Sequence, residues 1–164
     1  MKRLFLLVLV LLTASASAEQ KALSLTAKQF DKGVKKYFST IPQCAEMKVD
    51  ELRLINDGAN GYQEFNLGNV TFTVILKINE KDKLTNIQIT STGNAKNEQA
   101  RQGMLCSTYS VMRMLQPKLA SKDDALKQAG HLWVLAKDAP FEMTYYFDRI
   151  KAQFVPFELN VYTN

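Results

Sequence analysis

The chain has 164 residues, with 21 Lys and Arg against 16 Asp and Glu, one His and two Cys. That length suits one domain, and a composition 46% apolar and 23% charged excludes a disordered, collagen-like or coiled-coil chain. The formal charge of +5 falls to +3 once Lys2 and Arg3 are set aside with the leader described next, which argues against nucleic acid as a partner.

Met1 is followed by Lys2 and Arg3, by an apolar run from Leu4 to Leu12, and by small residues that place Ala16 and Ala18 in an A-x-A cleavage pattern. Basic start, short apolar middle and small-residue site are the three parts of a signal peptide. The run reaches only about 14 Å as a helix, against the ~30 Å of a hydrocarbon core, so it is too short for a transmembrane anchor. Residues 1–18 are therefore expected to be cleaved from a mature domain spanning 19–164. No later apolar run is long enough to span a membrane, so the periplasm of a Gram-negative bacterium is the expected location, with secretion as the alternative. In an oxidising compartment the two thiols, Cys44 and Cys106, are expected to form one structural disulfide. Closing so long a loop is worth about 4 kcal/mol in loop entropy.

The first helix is announced at Thr26. Its hydroxyl can cap the Gln29 amide while the Gln29 side chain reaches back, and Leu25 can staple onto Phe30. Phe30, Val34, Phe38 and Ile41 then recur at helical spacing until Pro42. The opposite side carries Lys28, Lys32, Lys35 and Lys36, a candidate surface for an anionic partner, but Asp31 interrupts the stripe and a solvated face is the preferred reading.

From Asp50 to Ser91 the period changes to two. A strand is expected over Glu51–Asn56, followed by the turn-forming Asp57-Gly58-Ala59-Asn60-Gly61 cluster and a second strand over Tyr62–Leu67. The clearest strand follows Gly68 and Asn69: Val70, Phe72, Val74, Leu76 and Ile78 point one way, Thr71, Thr73, Ile75 and Lys77 the other. Leu84–Ser91 makes a fourth strand, so an antiparallel meander with one buried face is predicted.

Two helices come next. One begins near Asn97, places Met104, Leu105, Thr108, Val111, Met112 and Leu115 on one face, and ends at Pro117. The other opens with a Ser121–Asp124 capping box and buries Ala125, Ala129, Leu132 and Ala136. Beyond Pro140, alternation of Phe141, Met143, Tyr145 and Phe147, and of Phe157, Leu159 and Val161, predicts two closing strands joined around Asp148–Lys151. The fold class is thus α+β: a meander of about four strands plus a C-terminal strand pair, helices on one face, one disulfide.

Chemistry-bearing patterns are sparse. His131 is the only imidazole, so neither a catalytic triad nor a multi-His metal site can be assembled; with Asp138 it is the one suggestion of an acid–base pair. Ser107 and Ser110 lack a nucleophile elbow. Asp50 with Glu51, and Asp123 with Asp124, are adjacent pairs whose side chains diverge. Met104, Met112 and Met114 could suggest copper, but Met104 and Met112 fall on the core face, where a helical methionine stripe is packing. No cofactor, metal site or catalytic residue is assigned, and a non-enzymatic protein is expected.

Two functional expectations follow. The first is a protein that binds another protein of the cell envelope, such as an inhibitor or immunity factor against an envelope-acting enzyme. Its interaction surface would draw on Tyr145, Tyr146, Phe154 and Tyr162, since alternation cannot bury every C-terminal aromatic, together with Lys28, Lys32 and Lys35. The second is a carrier or sensor of a small apolar ligand held between sheet and helices, lined by Phe72, Val74, Met112 and Phe157.

Overall fold

The computed structural model describes residues 21–118 and 121–163, so the expected leader lies outside the described residues. The helices are α1 (Ala27–Phe38), α2 (Glu98–Leu115) and α3 (Lys122–Leu135). The strands are β1 (Lys48–Val49), β2 (Arg53–Ile55), β3 (Asn60–Leu67), β4 (Val70–Ile78), β5 (Leu84–Ser91), β6 (Phe141–Tyr145), β7 (Asp148–Phe154) and β8 (Phe157–Thr163). All eight belong to one antiparallel sheet in the order β1-β3-β4-β5-β8-β7-β6, with β2 also paired to β3. The fold is α+β with an antiparallel sheet.

Local chemistry sets the helix starts. The Gln29 amide donates to Thr26 Oγ1 at 3.2 Å and the Thr26 amide to Gln29 Oε1 at 2.8 Å, a complete capping box. Asn97 Oδ1 accepts from the Ala100 amide at 3.1 Å. At α3 only half of the expected box forms. Ser121 Oγ accepts from the Asp124 amide at 3.1 Å, but the Asp124 carboxylate accepts from the Ser121 hydroxyl at 2.6 Å and not from its backbone N–H. Aspartate is one methylene shorter than the glutamate that usually spans that return path.

The helices cover one face of the sheet. Phe30 and Phe38 of α1 pack against Phe65 of β3, with ring centroids 6.4 and 5.2 Å apart. The central helix α2 lies close to β4 because Gly103 has no side chain: a Cβ there would come within 2.0 Å of the Phe72 ring. Gly33 gives α1 the same freedom against Met114, whose Sδ would be 2.1 Å from an added Cβ. Trp133 of α3 sits edge-on to Phe154 and Phe157 at 5.5 and 5.0 Å, and its indole N–H donates to Thr108 Oγ1 at 2.9 Å. Satisfying that donor lets so large a ring be buried without an orphaned polar group. Cys44, in a short 3-10 turn Pro42–Cys44 after α1, is bridged to Cys106 of α2 across a Cα–Cα distance of 5.6 Å.

Two regions depart from the periodic reading. The strand expected over Glu51–Asn56 shrinks to the three exposed residues of β2. It begins two residues later than expected, and it ends one residue early because Asn56, Asp57 and Gly58 all take positive φ, at 53°, 53° and 87°. At the C-terminus three strands replace the expected two, and Asp148–Lys151 begins β7 instead of linking strands. The reversal occurs one step earlier, where Tyr145 pairs with Asp148 across Tyr146 and Phe147. Tyr146 has φ of 57°, a conformation that glycine or asparagine usually supplies, so turn composition gives no warning. Nor do these strands stand apart as a pair: β8 joins β5, making them one continuous sheet with the meander.

Candidate functional site on the open sheet face

The side of the sheet away from the helices is a polar surface laid out by strand register. Side chains directly opposite one another on neighbouring strands lie about 5 Å apart at Cβ, so pairing fixes which groups meet. One row runs Tyr62, Ile75, Gln88, Asn160, Lys151 and Glu142 across β3, β4, β5, β8, β7 and β6. The next runs Lys77, Asn86, Tyr162 and Arg149. Most of these side chains are half-buried by their neighbours. Ile75, 39% exposed, is the apolar residue among them.

Hydrogen bonds hold the face in place. Gln88 Nε2 donates to Glu158 Oε2 at 2.9 Å, and Asn160 Nδ2 donates to Glu158 Oε1. Asn86 Nδ2 donates to the Val161 carbonyl at 3.3 Å. The Tyr162 hydroxyl donates to Glu142 Oε2, while Arg149 Nε donates to Glu142 Oε1 at 2.7 Å. These two donors, the phenol first, hold the Glu142 carboxyl below its ordinary range, and the same bond to Glu142 raises the Tyr162 phenol. On β3 the Tyr62 hydroxyl donates to Glu64, which likewise raises its phenol.

A cleft of ≈ 500 Å³ opens at one end of this face. Its floor is Asn86, Gln88, Asn160 and Tyr162, and its sides include Lys77, Thr85, Lys21 and Thr163. The segment bearing Lys21 is stitched beside the sheet: Thr163 Oγ1 donates to the Lys21 carbonyl at 2.7 Å, and the Leu23 amide to the Leu84 carbonyl at 2.7 Å. At the same end of the sheet, the β6–β7 turn presents Phe147, 73% exposed, and Tyr146, 47% exposed. The Tyr146 ring is fixed edge-on to Tyr145 at 4.9 Å. Tyr145 itself is buried against the helix layer, and burial pushes its phenol up to about 12. Asp148, at the foot of the turn, is also buried, which raises its carboxyl against the opposing pull of Lys21.

The residues singled out from sequence fall in several places. Tyr162 is on the open face and Tyr146 at the nearby turn, but Phe154 lies at the opposite end of β7, stacked on Phe157 at 5.2 Å and covered by Trp133. Lys28, Lys32 and Lys35 are exposed on α1, with Lys35 Nζ 2.8 Å from Asp31. These lysines and the aromatic residues do not make one surface. Phe72, Val74, Met112 and Phe157 are core residues, none more than 4% exposed, and none lines a described cavity. His131 and Asp138 are both exposed, at α3 and just beyond its end. Among the described residues no group of three His, Cys, Asp or Glu side chains could hold a metal ion. No described helix is long and apolar enough to cross a membrane.

Sequence reasoning passes over Gln88, Glu158, Asn160, Glu142, Arg149 and Lys77. The signal they carry is the polar half of each alternating strand, which reads as a solvated face until register places those halves side by side. No protein-family model, no curated protein and no solved structure matches the chain.

Proposed function

We propose that this is an exported protein of the periplasm that binds another protein of the cell envelope, in the manner of an inhibitor or immunity factor, and that catalysis is not its role. The observation that carries this reading is the aromatic hairpin tip beside the ordered open face. Phe147 is 73% exposed, and the Tyr146 ring is already held against Tyr145. Exposed aromatic side chains are the usual anchors of protein interfaces, and little conformational freedom is lost when they are held in place before binding. The polar groups of the adjacent face supply a rim whose geometry is fixed by internal hydrogen bonds. The Cys44–Cys106 bridge supports an oxidising compartment, in keeping with the leader read from the sequence.

The test is affinity capture from envelope extracts with immobilised mature protein, comparing the native sequence with Phe147→Ala and Tyr146→Ala. A specific partner retained by the native protein and lost by at least about tenfold in the Phe147 variant is the expected result, since interface aromatics cost upwards of 1 kcal/mol when truncated. Circular dichroism should report unchanged folding. A partner held equally well by both variants would place the binding surface elsewhere.

A further inference from the structure

We propose that the cleft on the open face is a binding site for a sugar acid, a saccharide unit that carries both hydroxyl groups and a carboxylate. This goes beyond the protein-binding reading, which rests on the hairpin tip. The argument begins with the polarity of the cleft along the strands. One end carries Lys77 on β4 and Lys21 on the stitched N-terminal segment; neither ammonium has a carboxylate within 4.0 Å among the described residues, although Lys21 lies near enough to the buried Asp148 to oppose the burial that raises its carboxyl. The adjacent row, displaced by two residues along β5 and β8, carries Gln88 and Asn160. Two residues of strand amount to about 7 Å, near the width of one pyranose ring with its substituents.

The state of the amides decides what that second row offers. Gln88 and Asn160 each commit an N–H to Glu158, and Asn86 commits one to the Val161 carbonyl. Among the described residues nothing donates to their side-chain carbonyl oxygens. In this orientation each is an acceptor held in place, and an acceptor at a cleft surface calls for a donor on the ligand. Hydroxyl groups supply donors; acetate does not. The Glu158 carboxylate, lying behind the amides, repels an anion from that end and so directs any ligand carboxylate toward Lys21 and Lys77. Within the cleft lining, which does not include the Lys151 opposite Asn160, both cations stand at the Lys77–Asn86 end and the Gln88 and Asn160 acceptors at the other, which specifies a ligand with an anionic group at one end and hydroxyls at the other. The Tyr162 ring on the floor adds an apolar surface for the face of a sugar ring. The cavity volume, ≈ 500 Å³, accommodates one or two sugar units.

The experiment is an NMR titration of the mature protein with D-glucuronate and with N-acetylmuramate, set against D-glucose and acetate, which carry the hydroxyls and the carboxylate separately. The expected result is saturable movement of the Asn86, Gln88 and Asn160 side-chain amide resonances, with at least one of the two sugar acids binding about tenfold or more tighter than either control. Lys77→Gln should weaken that binding by about ten- to a hundredfold, the range for losing one charge-assisted contact, and Gln88→Ala by about two- to tenfold, the range for losing one neutral hydrogen bond. An unchanged melting temperature would establish that both variants fold, and Lys21→Gln replaces either one that does not. Acetate or glucose matching the sugar acids would overturn the proposal. So would the absence of any saturable movement in those three side chains.

Discussion

The two faces of this sheet are built from the same strands, one residue out of phase, and they are stabilised in opposite ways. The covered face gathers Phe65, Phe72, Val74, Leu76, Ile87, Ile89, Leu159 and Val161, all nearly without solvent contact. Its stability comes from apolar area and close packing, and both penalise small changes in shape. On the open face Gln88, Asn160, Glu142, Arg149 and Tyr162 stay half-exposed and are held by hydrogen bonds. Such bonds exchange readily with water and contribute little net stability, but they fix where each polar group points. One face therefore carries the fold. The other is free to carry specificity.

The sharpest way to break the comparison is to remove volume from the covered face. Phe72→Ala should cost about 3–5 kcal/mol, read from denaturant unfolding, because the ring fills the space that Gly103 leaves between α2 and β4. Almost as large is the loss of the bridge. Cys44→Ala with Cys106→Ala should cost about 4 kcal/mol, and the same loss should follow reduction of the native protein. On the open face Gln88→Ala should change stability by no more than about 0.5 kcal/mol, although it removes a hydrogen bond. An effect as large as that of Phe72→Ala would contradict the division of labour between the faces.

Titration gives the smallest and most selective effect. Glu142 has its carboxyl lowered by the Tyr162 hydroxyl and by Arg149, so the folded chain holds that proton less tightly than the unfolded chain. Its contribution is complete above the ordinary value of 4.5 and is lost as pH falls through the lowered folded value. Tyr162 is the mirror case. Its raised phenol contributes fully below 10.0, and that contribution fades as pH rises through the folded value. Glu142→Gln should therefore flatten both limbs of a plot of melting temperature against pH. High salt should shrink the Arg149 part of the effect, since that pair is partly exposed.

Features encoded by neighbouring residues are legible in the amino-acid order itself. Thr26 and Gln29 lie three positions apart, Asn97 sits directly ahead of its helix, and Val70 to Val74 alternate without a break, so each follows from local chemistry alone. The disulfide is legible because two cysteines in a chain expected to be exported leave one pairing. The reversal at Tyr146 is not, because an aromatic residue at positive φ is held there by what surrounds it and not by its own preference. Nor is the open face. Gln88 and Asn160 are far apart in sequence, and only the β5–β8 register makes them neighbours. The candidate cleft depends wholly on that register, so no local pattern of residues reveals it.

The place of β8 has a further consequence for how the chain acquires its structure. The strand that comes last in the described sequence lies in the interior of the sheet, between β5 and β7. Until it is inserted, β3, β4 and β5 form one sheet and β6 with β7 another, each with an open edge. Long-range pairing of this kind is slow to form, and its closure entropy must be met before the contacts that reward it exist. Folding of the whole sheet is thus held back until its last strand is present. A truncation that removes β8 would divide the protein into two incomplete sheets instead of trimming an edge, and would take half of the cleft floor with it.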